Sequence, residues 1–302
     1  MSAVVGKPAP SHAAWVICLA IGVGGCRGGG SASVDGQSPG DAAPDVTEAN
    51  DAATETANGD GAPDGLGDAA VVACSPDAMP QPNAGLVEAI SAEGCPGGMI
   101  AIPGPSPFCV DRYEGALVLQ SDGSSWSPYV NPGTTPVRAV SLAGAVPQSN
   151  INGTQAAAAC AAAGKRLCTD TEWRRACQGQ QGTTYPYGDT RIPGVCNDAR
   201  AVNPVVQYFG SDDPSVFSMA GNPCIDQQPD SLARTGAYAG CVTAEGAFDM
   251  MGNLDEWTAD PAGTLRGGDY VDTVLNGNGC LYVTTAHDSS YADYSTGFRC
   301  CF

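Results

Sequence analysis

Histidine, basic charge and long apolar runs are all scarce in this chain, and each shortage closes a line of function. Histidine occurs only at His12 and His287. With no Cys-x-x-Cys pair beside them, the sequence offers no zinc ligand set. Lys and Arg total 13 against 32 Asp and Glu, a formal charge of -19. A surface this acidic repels phosphate backbones, which argues against nucleic acid as a partner. The apolar stretch from Ala13 to Gly25 is shorter than the roughly 20 residues a helix needs to cross a bilayer. No internal repeat is visible.

What the chain has in quantity is cysteine: 14 residues, of which Cys18 and Cys26 lie near the start and 12 fall between Cys74 and Cys301. The first 25 residues read as a signal peptide: a short positive region with Lys7, an apolar run from Ala13 to Val23, and small residues before Cys26. Val23-Gly24-Gly25-Cys26 resembles the bacterial lipobox, which implies lipidation of Cys26 and anchoring to a membrane through its acyl chains. Arg27 stands where an inner-membrane retention aspartate would be, so the outer membrane is the expected location. Exported thiols meet oxidising conditions, and the default reading of the other 12 is a set of disulfides.

Residues 26–94 read as a disordered linker. From Gly28 to Gly94 there are 12 acidic residues and no Lys or Arg, with few branched or aromatic side chains to bury, so ordering entropy is not recovered. Order is expected to begin late, around Cys74 or Leu86-Val87. Residues 95–302 are long enough for one sizeable core. Turn residues are dense, as in Ile102-Pro103-Gly104-Pro105, which points to a loop-rich α+β fold stapled by cross-links. Helices are expected over Thr154–Ala163, with Gly164 past its end, and after the capping box Thr169-Asp170-Thr171-Glu172, with Gly179 closing it. Short strands are expected at Met99–Ile102, Phe108–Tyr113, Thr264–Tyr270 and Ser295–Phe302.

The helical unit from Cys160 through Gly164-Lys165-Arg166-Leu167-Cys168 and Trp173 to Cys177 closely resembles the formylglycine-generating enzyme (sulfatase-modifying factor) domain family. Four further blocks follow in order: Tyr185-Pro186-Tyr187-Gly188, Gly246 to Thr258, Leu265-Arg266-Gly267-Gly268-Asp269-Tyr270, and Gly297-Phe298-Arg299-Cys300. The resemblance implies an irregular, C-type-lectin-related α+β fold, usually holding calcium. In the catalytic branch it also implies a copper-dependent oxidase that converts a sulfatase cysteine to formylglycine through a cysteine pair. Thiolates are soft ligands suited to Cu(I).

That pair is missing at the matching positions: Asp272 stands in for the first thiolate and Gly277 for the second. Cys280 is the only catalytic candidate nearby, and it better matches the family's structural cysteine that pairs with the one at Cys177. The resemblance likewise pairs Cys160 with Cys300. Cys168 with Cys301 makes a plausible second bridge beside it, Cys95 and Cys109 flank a hairpin-like stretch, and Cys196 with Cys241 and Cys74 with Cys224 remain. A vicinal bridge between Cys300 and Cys301 is a further alternative.

Asn253-Leu254-Asp255-Glu256 resembles a calcium loop, with Asn253 and Glu256 as side-chain ligands and Leu254 giving its carbonyl; the alternative is a turn before a buried Trp257. Asn197 matches a second family site, with Asp212 or Asp213 as its acidic partner. Tyr291 and Tyr294 are placed to line a groove that binds a ligand without transforming it. Family members that hold iron for sulfoxide synthesis need several histidines, which this chain lacks. The expectation is a lipid-anchored, non-catalytic domain that binds a peptide or protein, and the alternative is the copper oxidase.

Overall fold

The computed structural model describes residues 74–91 and 94–302; the expected signal peptide, Cys26 and most of the expected linker lie outside them. Ten short strands, three helices and two 3-10 turns are joined by long loops.

Strand β1 (Met99–Ile102) pairs antiparallel with β2 (Phe108–Asp111) in the register Met99 to Asp111. Strands β3 (Gly115–Leu119) and β4 (Val137–Ser141) make a separate antiparallel pair that the sequence reading missed. Helix α1 (Gly153–Ala162) packs across it, opened by a capping box in which Asn152 and Gln155 each bond the other's backbone. Its alanines let the helix come close, and Ala156, Ala159 and Cys160 are buried. After β5 (Arg166–Leu167), the Thr169 and Glu172 box opens α2 (Asp170–Gln178), whose inner face buries Trp173, Ala176 and Cys177. Gly164 and Gly179 lie at φ +72° and +62°, the left-handed conformation that ends both helices where expected. A short α3 (Pro204–Phe209) was not foreseen.

The second half is mostly loop. Strands β6 (Asp255–Trp257), β7 (Leu265–Arg266), β8 (Val283–Thr284) and β9 (Thr296–Phe298) form a sheet in the order β8-β7-β6-β9, with β6 and β9 parallel. The strand expected over Thr264–Tyr270 is therefore only two residues long, because the glycines after Arg266 turn away from the ladder. The final strand expected over Ser295–Phe302 is two strands, β9 and β10 (Cys300–Cys301), and β10 completes the sheet β1-β2-β10-β5.

Twelve cysteines make six bridges: Cys74–Cys224, Cys95–Cys109, Cys160–Cys300, Cys168–Cys301, Cys177–Cys280 and Cys196–Cys241. Neighbouring residues of a strand face opposite sides. Cys300 accordingly reaches back to α1 in one core cluster while Cys301 reaches the turn before α2 in another, which rules out a vicinal bridge.

The domain boundary at 95 needs correction. Cys74 is bridged to Cys224 in the domain, and the Asn83 side chain both donates to Val146 O and accepts from Val146 N at 2.8 Å. Glu88 accepts from Ser141 N at 2.9 Å. Among the described residues the domain thus takes in the segment from Cys74, which is held by polar contacts and a disulfide; Leu86 and Val87 are exposed.

Candidate functional site at the thiolate-equivalent loop

The loop between β7 and Cys280 holds the two positions where the resemblance requires thiolates. Asp272 closes the turn that follows it, its carboxylate accepting from Val274 N at 2.9 Å and Leu275 N at 3.1 Å. Gly277 sits at φ +118°, and a Cβ added there would lie 2.6 Å from the Leu281 carbonyl oxygen. No side chain fits at Gly277 without moving backbone. Cys280, the remaining thiol candidate, is bridged to Cys177 at a Cα separation of 5.5 Å. No cysteine among the described residues is free. A carboxylate and a glycine do not fit Cu(I), which needs soft sulfur donors, and no redox step through copper follows from this loop.

The side chains expected to hold calcium have partners within the protein. Asn253, held at φ +63°, spends its whole side chain on the protein. Its Oδ1 accepts from Asn197 Nδ2 and Ala233 N, both at 2.9 Å, and its Nδ2 donates to Glu114 Oε2 at 2.6 Å. Asn197 is brought to Asn253 as a hydrogen-bond partner, and its Nδ2 also donates to Ser231 O at 2.9 Å. Glu256 lies between two donors instead of facing a cation site. Arg299 bonds both of its oxygens at 2.6 Å, and Trp173 Nε1 donates to Oε2 at 2.6 Å. Strand alternation sets this geometry: Glu256 points away from Asp255 and Trp257, into the face where Arg299 is fully buried. Asn253 Oδ1 and both Glu256 oxygens, hard donors of the kind calcium takes, are thus engaged here by N–H groups of the protein. Leu254 packs its side chain against Gly297. Asp213 caps the 3-10 turn Pro214–Met219 through Ser215 N at 2.9 Å. Among the described residues, no group of three or more His, Cys, Asp or Glu is placed to hold a metal ion.

The two tyrosines expected to line a groove do other work. Tyr294 is buried in a core cluster with Tyr270 and Ile225. Tyr291 stacks on His287 at 3.6 Å between ring centroids and donates to Asp293 at 2.6 Å.

Sequence reasoning missed a set of buried carboxyl groups around this sheet. Burial raises the pKa of Asp226 to about 8, only partly opposed by hydrogen bonds from Ser149 and Tyr270. Asp269 is raised to about 7, again chiefly by burial. Burial, reinforced by the charges of Asp269 and Asp293, pushes Asp255 well above the carboxylate range. Glu114 is raised in the same way, first by burial and then by Asp249 and Glu256. In each of them burial disfavours the charged form. No local signal marks them, since an Asp in a loop-rich sequence is ordinarily a turn residue at the surface.

A cavity of about 670 Å³ opens beside the Cys177–Cys280 bridge, lined by Gln178, Thr183, Tyr187, Val242 and Glu245. No cysteine, serine or histidine lines it. Glu245, its one carboxylate, is paired with Arg175 at 3.1 Å.

The sulfatase-modifying factor enzyme 1-like domain family matches residues 112–301. A mouse protein described as inactive C-alpha-formylglycine-generating enzyme 2 is 30% identical over 166 residues, 51% of this chain and 48% of the mouse protein. The chain thus spans about half the length of that relative. Among solved structures, PvdO from Pseudomonas aeruginosa aligns with a TM-score of 0.41 at 13% identity, covering 76% of this chain and 99% of that one. CarF aligns at 0.39 and 16% identity, covering 65% and 86%. Five motif blocks, the bridges joining both helices to the C-terminal half and a match covering more than half its length lead to one assignment: the chain belongs to the formylglycine-generating enzyme (sulfatase-modifying factor) domain family.

Proposed function

We propose that this protein is a lipid-anchored, non-catalytic member of its family that works as a binding module held away from a membrane by an acidic spacer. One observation carries the reading: Asp272 and Gly277 occupy the thiolate positions, and the neighbouring Cys280 is consumed in a bridge to Cys177. Oxidation of a substrate cysteine by this family's route requires a thiolate pair to grip copper, and sulfur here is scaffold. That the mouse relative is itself described as inactive supports the same view. Anchoring rests on the apolar run before Val23-Gly24-Gly25-Cys26.

Alkylation of the unreduced, denatured mature protein followed by mass spectrometry tests the inert reading. It is expected to label none of the 12 cysteines from Cys74 to Cys301. A reproducible free pair that includes Cys280, together with copper-dependent oxygen uptake on a cysteine peptide, overturns it. Acyl labelling that disappears in Cys26→Ala, with release of the protein from the membrane fraction, tests the anchor.

A further inference from the structure

The segment that replaces the catalytic thiolates carries an unusual surface. Within ten residues, Val274, Leu275, Leu281 and Val283 are 41%, 83%, 45% and 36% exposed. These side chains do not hang on a loose loop. Val283 N donates to Asn276 O at 3.1 Å, Gly279 N to Thr273 O at 3.1 Å, and Cys280 N to Thr184 O at 2.9 Å. The Cys177–Cys280 bridge pins one arm to α2, and β8, which contains Val283, pairs with β7 at the edge of its sheet. A braced loop that holds several aliphatic side chains in water is the surface expected of a contact site.

The surrounding charge states what fits. No Lys or Arg lies between Arg266 and Arg299, and of the aspartates in that stretch Asp272 and Asp288 keep access to solvent while Asp269 and Asp293 are buried. Asp189 lies on the adjoining loop, where its carboxylate accepts from Thr184 N at 3.0 Å. A second copy of a chain with net charge -19 would set acid against acid, and an anionic membrane surface would be repelled in the same way. We propose that this braced aliphatic loop docks an apolar segment of another protein flanked by Lys and Arg, with Leu275 and Val283 as the central contacts. The proposal rests on the non-catalytic reading and names the partner chemistry for it.

Fluorescence anisotropy with the full-length protein tests it, using a short labelled Leu/Lys peptide and its Leu/Glu counterpart as probes. Leu275→Ser/Val283→Ser is the variant; both side chains are at the surface, and an unchanged melting temperature shows that it folds. The Leu/Lys peptide is expected to bind, to weaken as salt rises from ~50 to ~300 mM, and to lose about tenfold in affinity in the variant. Binding of the Leu/Glu peptide, equal binding by wild type and variant, or no binding overturns the proposal. So does self-association that the variant abolishes. Each of these outcomes leaves the free-thiol count unchanged, so failure here is distinguishable from failure of the inert reading.

Discussion

Arg299 and Glu256, 43 residues apart in sequence, form a two-pronged ion pair at 2.6 Å with both side chains buried. Arg299 also donates to Asp111 O, Phe248 O and Asp249 O, so one guanidinium ties β9's end to β2 and to the loop before β6. Removing one partner of such a pair leaves an uncompensated buried charge. Glu256→Gln is expected to lower unfolding free energy by about 3–5 kcal/mol in urea denaturation. Calcium is expected to shift the midpoint of neither wild type nor variant, and a calcium-dependent rise in wild type would return Glu256 to the role of ligand.

Restoring the missing thiols does not restore the chemistry. At Gly277 the backbone is left-handed and the Leu281 carbonyl blocks a Cβ, so Asp272→Cys/Gly277→Cys must distort the loop before it can offer two sulfurs. The expected result is a loss of about 1–3 kcal/mol in stability. No copper-dependent oxygen consumption on a cysteine peptide should accompany it, as measured with an oxygen electrode.

What could be read in advance was whatever local chemistry encodes. The Thr169/Glu172 box, the glycines after each helix and the pairing of Cys160 with Cys300 and Cys177 with Cys280 all stand in the structure. The pairing of Glu256 with Arg299 was not legible because a hard oxygen in a tight turn looks the same whether it meets a cation or a guanidinium, and Arg299 lies far off in sequence. The β3–β4 pair escaped because Gly115–Leu119 is buried along most of its length and lacks the alternation that marks a half-exposed strand. Order from around Cys74 was among the expectations, but the domain boundary was set at 95 because the composition of the strap at residues 74–94 matches that of the acidic stretch before them.

That strap is part of the domain's stability. Asn83 is buried and its amide makes two 2.8 Å bonds to Val146, satisfying a backbone N–H and C=O that would otherwise lack partners. Asn83→Ala is expected to cost about 1–3 kcal/mol in chemical denaturation. A domain cut to begin at Cys95 loses this contact, the Glu88 contact and the Cys74–Cys224 bridge together, and its denaturation midpoint should fall further than that of the point variant. Equal midpoints for residues 74–302 and 95–302 would show that the strap is a passenger.

Acidity should stabilise this protein over a range where many others are indifferent. Burial raises the folded-state pKa of Asp226 to about 8 and of Asp269 to about 7, from the ordinary aspartate value of 3.8. A carboxyl raised in this way contributes stability that is complete below its unfolded pKa and is lost as pH climbs through the folded one. Between pH 8 and pH 5 the folded state therefore takes up protons that the unfolded chain does not, and stability rises as pH falls. The gain is expected to be on the order of 6 kcal/mol across that window. Asp226→Asn should keep a hydrogen bond with Tyr270 while removing the titration. The variant is expected to match or exceed wild type at pH 8 and to show a flatter dependence of melting temperature on pH. A wild-type profile that falls from pH 8 to pH 5 would mean that these carboxyls are ionised in the folded protein.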